Sequence, residues 1–263
     1  MSALPLIHDD YVAFCQGVRG LCDIDLLQYK RGQMERRVRS FAERRGHTEL
    51  APYLRLLAGD AAARDEFLDR VTINVSNLWR NPEQWAHLQT EIVPALAADG
   101  TLRAWSAGCS YGAEAYTLAA VCRLAAPSAR TSILGTDIDR RAIERARVAD
   151  FSAEDVRDAP PAALARFFTG AGERWQPIAE LRALVSFELG DLLRLRPPVR
   201  AYDLVLCRNT VIYFNEEVRD ALHERLAGAL RPGGVLVVGA TERVTAPAAI
   251  GLQPMAPFTY IKA

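Results

Sequence analysis

Residues 105–120, WSAGCSYGAEAYTLAA, begin as an apolar strand, turn through two glycines and continue as a helix with one acidic residue near its start. From residue 101 onward, short apolar strands alternate with helical patterns, as in LRAWSAG, TSILGTDID and YDLVLCRN. Strands that alternate with helices predict an α/β fold with a mostly parallel sheet covered on both faces. Ligands of such sheets bind beyond the carboxyl ends of the strands, at the first strand-to-helix turn. We therefore expect residues 106–112 to line a ligand site.

The turn and the next strand together indicate a nucleoside ligand. The glycines do not have the GxGxxG spacing, so the dinucleotide fingerprint is absent. TSILGTDID contains Asp137, 25 residues after Gly112, and an acid at the end of the second strand can accept hydrogen bonds from both ribose hydroxyls. An N-cap for the next helix is the other interpretation, and it fits Asp139 better. Adenosine without a pyrophosphate suggests S-adenosylmethionine, and LRPGGVLVVG is typical of the late part of class I methyltransferase folds.

The composition argues against several classes of protein. Lys+Arg and Asp+Glu each total 32, so the chain has no global basic field that would favour nucleic acid. The first residues lack the basic and apolar stretches of a secretory signal, and no apolar run reaches the roughly 18 residues that span a bilayer. The five cysteines and four histidines are scattered without a CxxC pair, so neither a disulfide framework nor a metal site is expected. We expect a cytoplasmic protein with reduced thiols.

The first 80 residues differ in pattern from the rest of the chain. Stretches such as DDYVAFCQGVRGLC and AARDEFLDRVTINV carry apolar residues at three- and four-residue spacing, which predicts helices, and strand-like runs are absent there. We expect an all-α N-terminal domain over residues 1–80 and an α/β domain over residues 81–263. The connection between them is placed near residues 80–100.

Residues 29–47, YKRGQMERRVRSFAERRGH, form a strongly basic run with seven Lys/Arg and two Glu. As a helix, this run places Met34, Val38 and Phe41 on one face, so that face can dock while the arginines point outward. A plain solvated surface is the ordinary interpretation of such a run and stays open. A nucleic-acid surface is a third interpretation, but no interleaving of aromatic residues supports it.

Several ordered motifs resemble those of a known family: TINVSNLWRN, WSAGCSYGAEAYTLA, TDID, YDLVLCRNTVIYF, LRPGGVLVVGATE and FTYIKA. From about residue 10 to the C-terminus, the chain resembles the CheR-type chemotaxis receptor methyltransferases, and it is especially similar to the Gram-positive type. The resemblance implies a class I S-adenosylmethionine methyltransferase (Rossmann-like) domain with a small antiparallel β-subdomain at about 167–190, preceded by the all-α domain. It also implies methyl transfer from S-adenosylmethionine to receptor glutamates, with S-adenosylhomocysteine as the product.

The resemblance also implies which partners the chain has. They are the cytoplasmic helices of chemotaxis receptors; we expect a monomer that binds no nucleic acid and does not insert into the membrane. In some family members the β-subdomain captures a peptide from the receptor C-terminus by adding a strand to a sheet edge. This chain, with Gly170, Gly172 and a short step to Trp175, resembles the pentapeptide-independent type. We therefore expect no tight binding of such a peptide.

Family roles carry over residue by residue. Tyr213 matches the active-site tyrosine of the family, and we assign Arg80 to catalysis as well because its fork of donors can hold an acidic partner. Arg37 matches a receptor-contacting arginine. The residues implied to contact the cofactor are Asn74, Ser76, Arg80, Glu114, Asp137, Asp191, Leu192, Arg208 and Asn209.

A few positions depart from the family pattern. Ala113 and Ala115 replace the first Glu and the Pro of the family's GEEPY motif, and Tyr111 stands where Thr is usual. Leu78-Trp79 replaces the usual aromatic pair before Arg80. These changes leave the implied cofactor contacts in place and bear on the shape of the pocket mouth.

The chemistry of the implied reaction suits this chain. A glutamate has a reference pKa of about 4.3, so it is ionised at pH 7 and needs no general base. The enzyme then has to supply alignment and partial desolvation, with Tyr213 orienting one carboxylate oxygen. Two alternatives stay open: a methyltransferase for another substrate, such as a small molecule or RNA, and a non-catalytic nucleoside-binding sensor or scaffold.

Overall fold

The computed structural model describes residues 9–72 and 74–263, and these residues divide into two units. The first unit contains residues 9–72 together with residues 213–218, and the second contains residues 74–212 and 219–263. Within these described ranges, no helix is long and apolar enough to cross a membrane.

The described residues of the first unit form four α-helices: α1 (Asp10–Cys22), α2 (Arg31–Arg44), α3 (Leu50–Gly59) and α4 (Ala61–Val71). Asp9 and Asp60 cap α1 and α4, because their side chains accept hydrogen bonds from N–H groups of the first turn. Aromatic rings fill the core, in which Phe67 packs edge-on against Phe14 and Tyr53. The helical N-terminal region predicted from the sequence is confirmed.

A second stretch of chain, residues 213–218, completes this unit. Lys30 N donates a hydrogen bond to Tyr213 O at 2.8 Å. The centre of the Phe214 ring lies 5.0 Å from that of Tyr29, and the two residues form an isolated antiparallel bridge. The helical unit is therefore discontinuous in sequence, which the periodicity of the first 80 residues does not predict.

The described residues of the second unit form ten strands: β1 (Thr101–Ala107), β2 (Arg130–Asp137), β3 (Phe151–Ser152), β4 (Phe168–Ala171), β5 (Arg174–Pro177), β6 (Val185–Leu189), β7 (Tyr202–Cys207), β8 (Leu230–Val238), β9 (Leu252–Ala256) and β10 (Thr259–Lys262). Seven of them form a sheet in the order β6-β2-β1-β7-β8-β10-β9. Neighbours from β6 to β8 run parallel, and β10 runs antiparallel to β8 and β9. Strands β3, β5 and β4 form a separate antiparallel sheet. The predicted α/β fold with a small antiparallel subdomain is confirmed.

Seven further helices follow along the described chain: α5 (Pro82–His87), α6 (Val93–Leu96), α7 (Ala113–Ala125), α8 (Arg140–Val148), α9 (Pro161–Phe167), α10 (Ala179–Arg182) and α11 (Glu216–Ala229). Helix α7 is buried at every residue from Ala113 to Cys122, and its alanines let neighbouring elements approach closely. Because β1 lies between β2 and β7, the strand order reverses at β1 and opens a crevice at the carboxyl ends of these strands.

Candidate active site

The turn after β1 begins the site. Gly108 has a φ of 83°, which other residues rarely adopt, and a Cβ there would lie 2.5 Å from Thr210 Oγ1. The N–H groups of Gly108 and Cys109 both donate to Thr136 O at 2.9 Å. The turn is thus held between the end of β2 and the loop that follows β7.

Asp137, the last residue of β2, lies beside this turn and is 8% exposed. Its Oδ2 accepts a hydrogen bond from Ser110 N at 2.8 Å, and its Oδ1 accepts one from Asp139 N at 3.0 Å. Burial raises the pKa of the Asp137 carboxyl to about 6. Each carboxylate oxygen can accept about two hydrogen bonds, so each keeps acceptor capacity for a hydroxyl donor such as those of a ribose. Asp139 caps α8, as its position predicted.

Residues 74–76 are fastened to the same turn. Asn74 Oδ1 accepts a hydrogen bond from Ser110 Oγ at 3.0 Å. The Tyr111 hydroxyl is in hydrogen-bond contact with Ser76 O and, at 2.8 Å, with Asp155 Oδ1. Tyr111 is one of the departures from the family pattern, and its length lets the turn reach the backbone of this segment. The structure thus brings Asn74 and Ser76 next to the turn that binds Asp137.

Arg80 lies between two residues with left-handed backbone, Trp79 at a φ of 55° and Asn81 at 60°. Its carbonyl oxygen accepts hydrogen bonds from Arg208 Nη2 at 2.6 Å and from Trp85 Nε1 at 2.9 Å. Left-handed residues other than glycine are costly, and they persist where surrounding contacts hold them. The hydrogen bonds from Arg208 and Trp85 therefore fix the position of the Arg80 backbone.

Glu114 and Arg208 form an ion pair of 3.1 Å in the interior, at 9% and 6% exposure. Ser106 Oγ donates to Glu114 Oε1 at 2.8 Å, and the Arg208 guanidinium stacks on the Trp85 ring at 4.8 Å. Desolvation raises the pKa of Glu114 and lowers the pKa of Arg208, and the attraction between the two charges opposes both shifts. Removal of either partner would leave a buried charge unpaired.

The remaining predicted cofactor residues follow strands at the same edge of the sheet. Gly190 N donates to Asp137 O at 2.8 Å, which brings Asp191 and the buried Leu192 to the end of β6, beside β2. Asn209 follows Arg208 after β7 and has a φ of 58°. All the predicted cofactor residues therefore belong to the second unit.

Arg37 and Tyr213 belong to the first unit, where they line a cleft of about 690 Å³ that we call the basic cleft. Met34 and Phe41, on the buried face of α2 that the sequence predicted, contribute its apolar lining. Burial lowers the pKa of the Arg37 guanidinium. The charged residues of the lining are all cationic: Lys30, Arg36, Arg37, Arg44 and Arg70.

Sequence reasoning missed one residue at the carboxyl edge, Glu242. It is 3% exposed and accepts hydrogen bonds from three backbone N–H groups, those of Asn209, Ile212 and Gly239. The available signal was an acid soon after a strand, in VVGATE, the same kind of signal that identified Asp137.

Two family models match this chain: "CheR methyltransferase, all-alpha domain" over residues 9–72, and "CheR methyltransferase, SAM binding domain" over residues 74–255. The chain belongs to the CheR methyltransferase family. Chemotaxis protein methyltransferases of Listeria innocua and Listeria monocytogenes are each 33% identical over 261 residues, which covers 98% of this chain and 99% of the relative. Chemotaxis protein methyltransferase 1 of Pseudomonas aeruginosa is 29% identical over 245 residues, or 89% of both chains.

Membership of the CheR family confirms the predicted enzyme class and cofactor: the chain is a methyltransferase that uses S-adenosylmethionine. The described residues fit this cofactor, because the buried Asp137 carboxylate offers acceptors to a ribose and forms no ion pair within residues 9–72 and 74–263. The roles of the individual residues stay predictions.

Proposed function

We propose that this chain transfers a methyl group from S-adenosylmethionine to glutamate side chains on the cytoplasmic helices of chemotaxis receptors, giving methyl esters in sensory adaptation. The observation that carries the proposal is that one CheR-family chain has both a nucleoside site at the sheet edge and a cleft whose charged lining is entirely cationic. The names of the Listeria and Pseudomonas relatives support the same process.

The residues of the second unit are assigned to the cofactor. Bound S-adenosylmethionine supplies a methyl group on a positively charged sulfur, which is an electrophile. Asp137 accepts the ribose hydroxyls, Asp191 and Leu192 flank the adenine, and the segment with Asn74 and Ser76 lies across the turn. The Glu114–Arg208 pair borders the site and holds the Arg80 backbone. Asn209 completes the contacts from the loop after β7.

The transfer itself needs alignment rather than proton chemistry. The ionised glutamate contributes the electron pair of the new O–C bond, and the electrons of the broken S–C bond go to sulfur. One negative and one positive charge thereby become two neutral products, so no proton moves and no general base is needed. We assign Arg80 and Tyr213 to orienting the carboxylate, since misalignment by about 1 Å can cost on the order of 100-fold in rate.

The basic cleft is assigned to the acidic receptor helix. Arg31 and Arg39 of α2 are held in ion pairs of 2.6 to 3.0 Å by carboxylates of their own unit. Arg36 and Arg37 form no ion pair within residues 9–72 and 74–263, so their charge is available to a partner. Complementary charge guides encounter and fixes the register of a docked helix. Arg37 is therefore proposed as the substrate-binding residue.

We further propose that the enzyme works in the cytoplasm, as a monomer and without nucleic acid. The five cysteines are free thiols, which suits a reducing compartment. The formal net charge of zero provides no general attraction for nucleic acid.

Transfer of a tritiated methyl group to purified receptor cytoplasmic fragments tests the proposal. We expect label on the fragments, released by mild base as a methyl ester would be. Label that appears only on another acceptor, with S-adenosylmethionine binding intact, would overturn the receptor assignment.

Arg80→Ala and Tyr213→Phe should lower kcat more than they weaken cofactor binding, and equal losses would reassign both residues to binding.

A further inference from the structure

Glu242 is a buried acid that the reaction described above does not use. Its Oε2 accepts hydrogen bonds from Asn209 N and Gly239 N, both at 2.7 Å, and its Oε1 accepts one from Ile212 N at 3.2 Å. It forms no ion pair with any described residue, and its burial raises its pKa. Backbone N–H groups therefore solvate this carboxylate in place of water, and both oxygens must act as acceptors.

Two of these three donors belong to the loop after β7. Asn209 has a left-handed backbone at a φ of 58°, which Asn adopts more readily than most residues but which an external contact helps to hold. The bond from Asn209 N to Glu242 is such a contact. A second bond holds Ile212, and the next residue in the chain is Tyr213. One carboxylate thus fixes both ends of the loop 209–212.

The close approach of these groups also explains why residue 239 is a glycine. A Cβ on Gly239 would lie 2.6 Å from Glu242 Oε2 and 2.7 Å from Asn209 N. Contacts under 3 Å force something to move, so any side chain here would separate the carboxylate from the loop. The absence of a side chain at Gly239 thus allows the hydrogen bonds by which Glu242 holds the loop 209–212.

We propose that Glu242 is a positioning residue for methyl transfer, whose carboxylate holds the loop 209–212 so that Asn209 meets the cofactor and Tyr213 is presented to the acceptor. This inference rests on the proposed function for the roles of Asn209 and Tyr213. Glu242 acts through the backbone of the loop and touches neither substrate. No proton moves in the transfer, so Glu242 is not assigned as a general base.

The variant Glu242→Gln distinguishes the contact at the Asn209 end of the loop from the contact at the Ile212 end. The single carbonyl oxygen of Gln can keep both short bonds of Oε2, while its NH₂ group takes the place of Oε1 and faces the Ile212 N–H, where two donors repel. We expect the affinity for S-adenosylhomocysteine to change less than about twofold and kcat on receptor fragments to fall about tenfold or more.

Two more variants extend the series. Glu242→Ala removes all three acceptor contacts, so we expect S-adenosylhomocysteine affinity to fall about tenfold or more, together with a larger loss of kcat. Gly239→Ala should act in the same direction without changing any charge.

Asp203→Asn is the matched control. Asp203 is also a buried acid, 8% exposed, and it accepts a hydrogen bond from a backbone N–H, that of Arg103, at 2.6 Å. Unlike Glu242, it also forms an ion pair, with Arg231. It lies near the start of β7, at the opposite end of that strand from the loop. We expect Asp203→Asn to lower stability in urea unfolding while leaving S-adenosylhomocysteine affinity and kcat within about twofold of wild type.

Calorimetry with S-adenosylhomocysteine, tritiated-methyl transfer to receptor fragments and urea unfolding are compared across this series. A wild-type kcat in Glu242→Gln, or parallel losses of affinity and kcat that simply follow stability, would overturn the positioning role. If the wild-type enzyme transfers no label to receptor fragments, the proposed function fails. Calorimetry with S-adenosylhomocysteine then still tests whether Glu242 positions Asn209 for cofactor binding. Unchanged affinity in Glu242→Ala would then overturn the inference, and a tenfold loss confined to the Glu242 and Gly239 variants would support it.

Discussion

Among single residues, Asp137 should make cofactor affinity depend on pH. We propose that its carboxylate accepts both ribose hydroxyls, and burial raises its pKa to about 6. As the pH falls through this value, the protonated carboxyl loses acceptor sites, so we expect S-adenosylhomocysteine affinity to decrease from pH 7 to pH 5. Calorimetric titrations across this range measure the effect.

The control for this prediction is Asp137→Asn, which cannot ionise. Its affinity should be about tenfold to 100-fold below that of wild type at pH 7, because hydrogen bonds to a charged group contribute about 1.5–3 kcal/mol. It should also stay nearly constant from pH 7 to pH 5. Tight binding by this variant would contradict the placement of the ribose.

What the sequence predicts about such residues depends on how local their partners are. The positions of Asp137 at a strand end and of Asp139 as a helix cap could be predicted, because each follows from a local pattern. Glu242 could not, since its contact with Asn209 spans 33 positions of the chain and has no local pattern. The same holds for Phe214, whose partner is Tyr29 in the other half of the chain.

At the scale of an element, helix α2 carries two kinds of arginine with different expected effects. Arg37→Gln should raise the KM for receptor fragments several-fold and leave S-adenosylhomocysteine affinity unchanged, because Arg37 is the proposed receptor contact and forms no ion pair with a described residue. Arg39→Gln is the matched control, since Arg39 is already paired with Glu35 at 2.7 Å. We expect the control to change the KM less than about twofold.

Salt provides a second readout for α2. Exposed charges are screened beyond about 8 Å at physiological ionic strength, so kcat/KM for wild type should fall as salt is added. The fall should be shallower in Arg37→Gln. Equal effects of Arg37→Gln and Arg39→Gln, with no salt dependence, would return this helix to the solvated-surface interpretation.

The hairpin of β4 and β5 bears on receptor capture. Only Gly172 and Glu173 connect the two strands, and Trp175 packs so closely over Gly170 that a Cβ there would lie 2.9 Å from the ring. Strand β4 is an edge strand of its sheet, the kind of edge to which a peptide can add. Because the connection is short, we expect titration with a receptor C-terminal pentapeptide to show no micromolar binding. A micromolar Kd would contradict this and add a tether to the mechanism.

At the scale of the whole molecule, the first unit should depend on a segment far along the chain. Phe214 is 6% exposed and packs on Tyr29, so Phe214→Ala should cost about 3–5 kcal/mol. We expect faster amide hydrogen exchange in residues 26–44 of the full chain. Phe214→Leu keeps most of the buried apolar area and should lose less, whereas unchanged exchange in Phe214→Ala would contradict the dependence.

This discontinuity also sets an order of events on the ribosome. Residues 9–72 are synthesised before the second unit, and at about 5–20 residues per second the segment 213–218 follows on the order of ten seconds later. During that interval the nascent helices lack the partner of Lys30 and the ring that packs on Tyr29. Of these two units, the one translated earlier therefore completes its structure later, only after most of its neighbour has been translated.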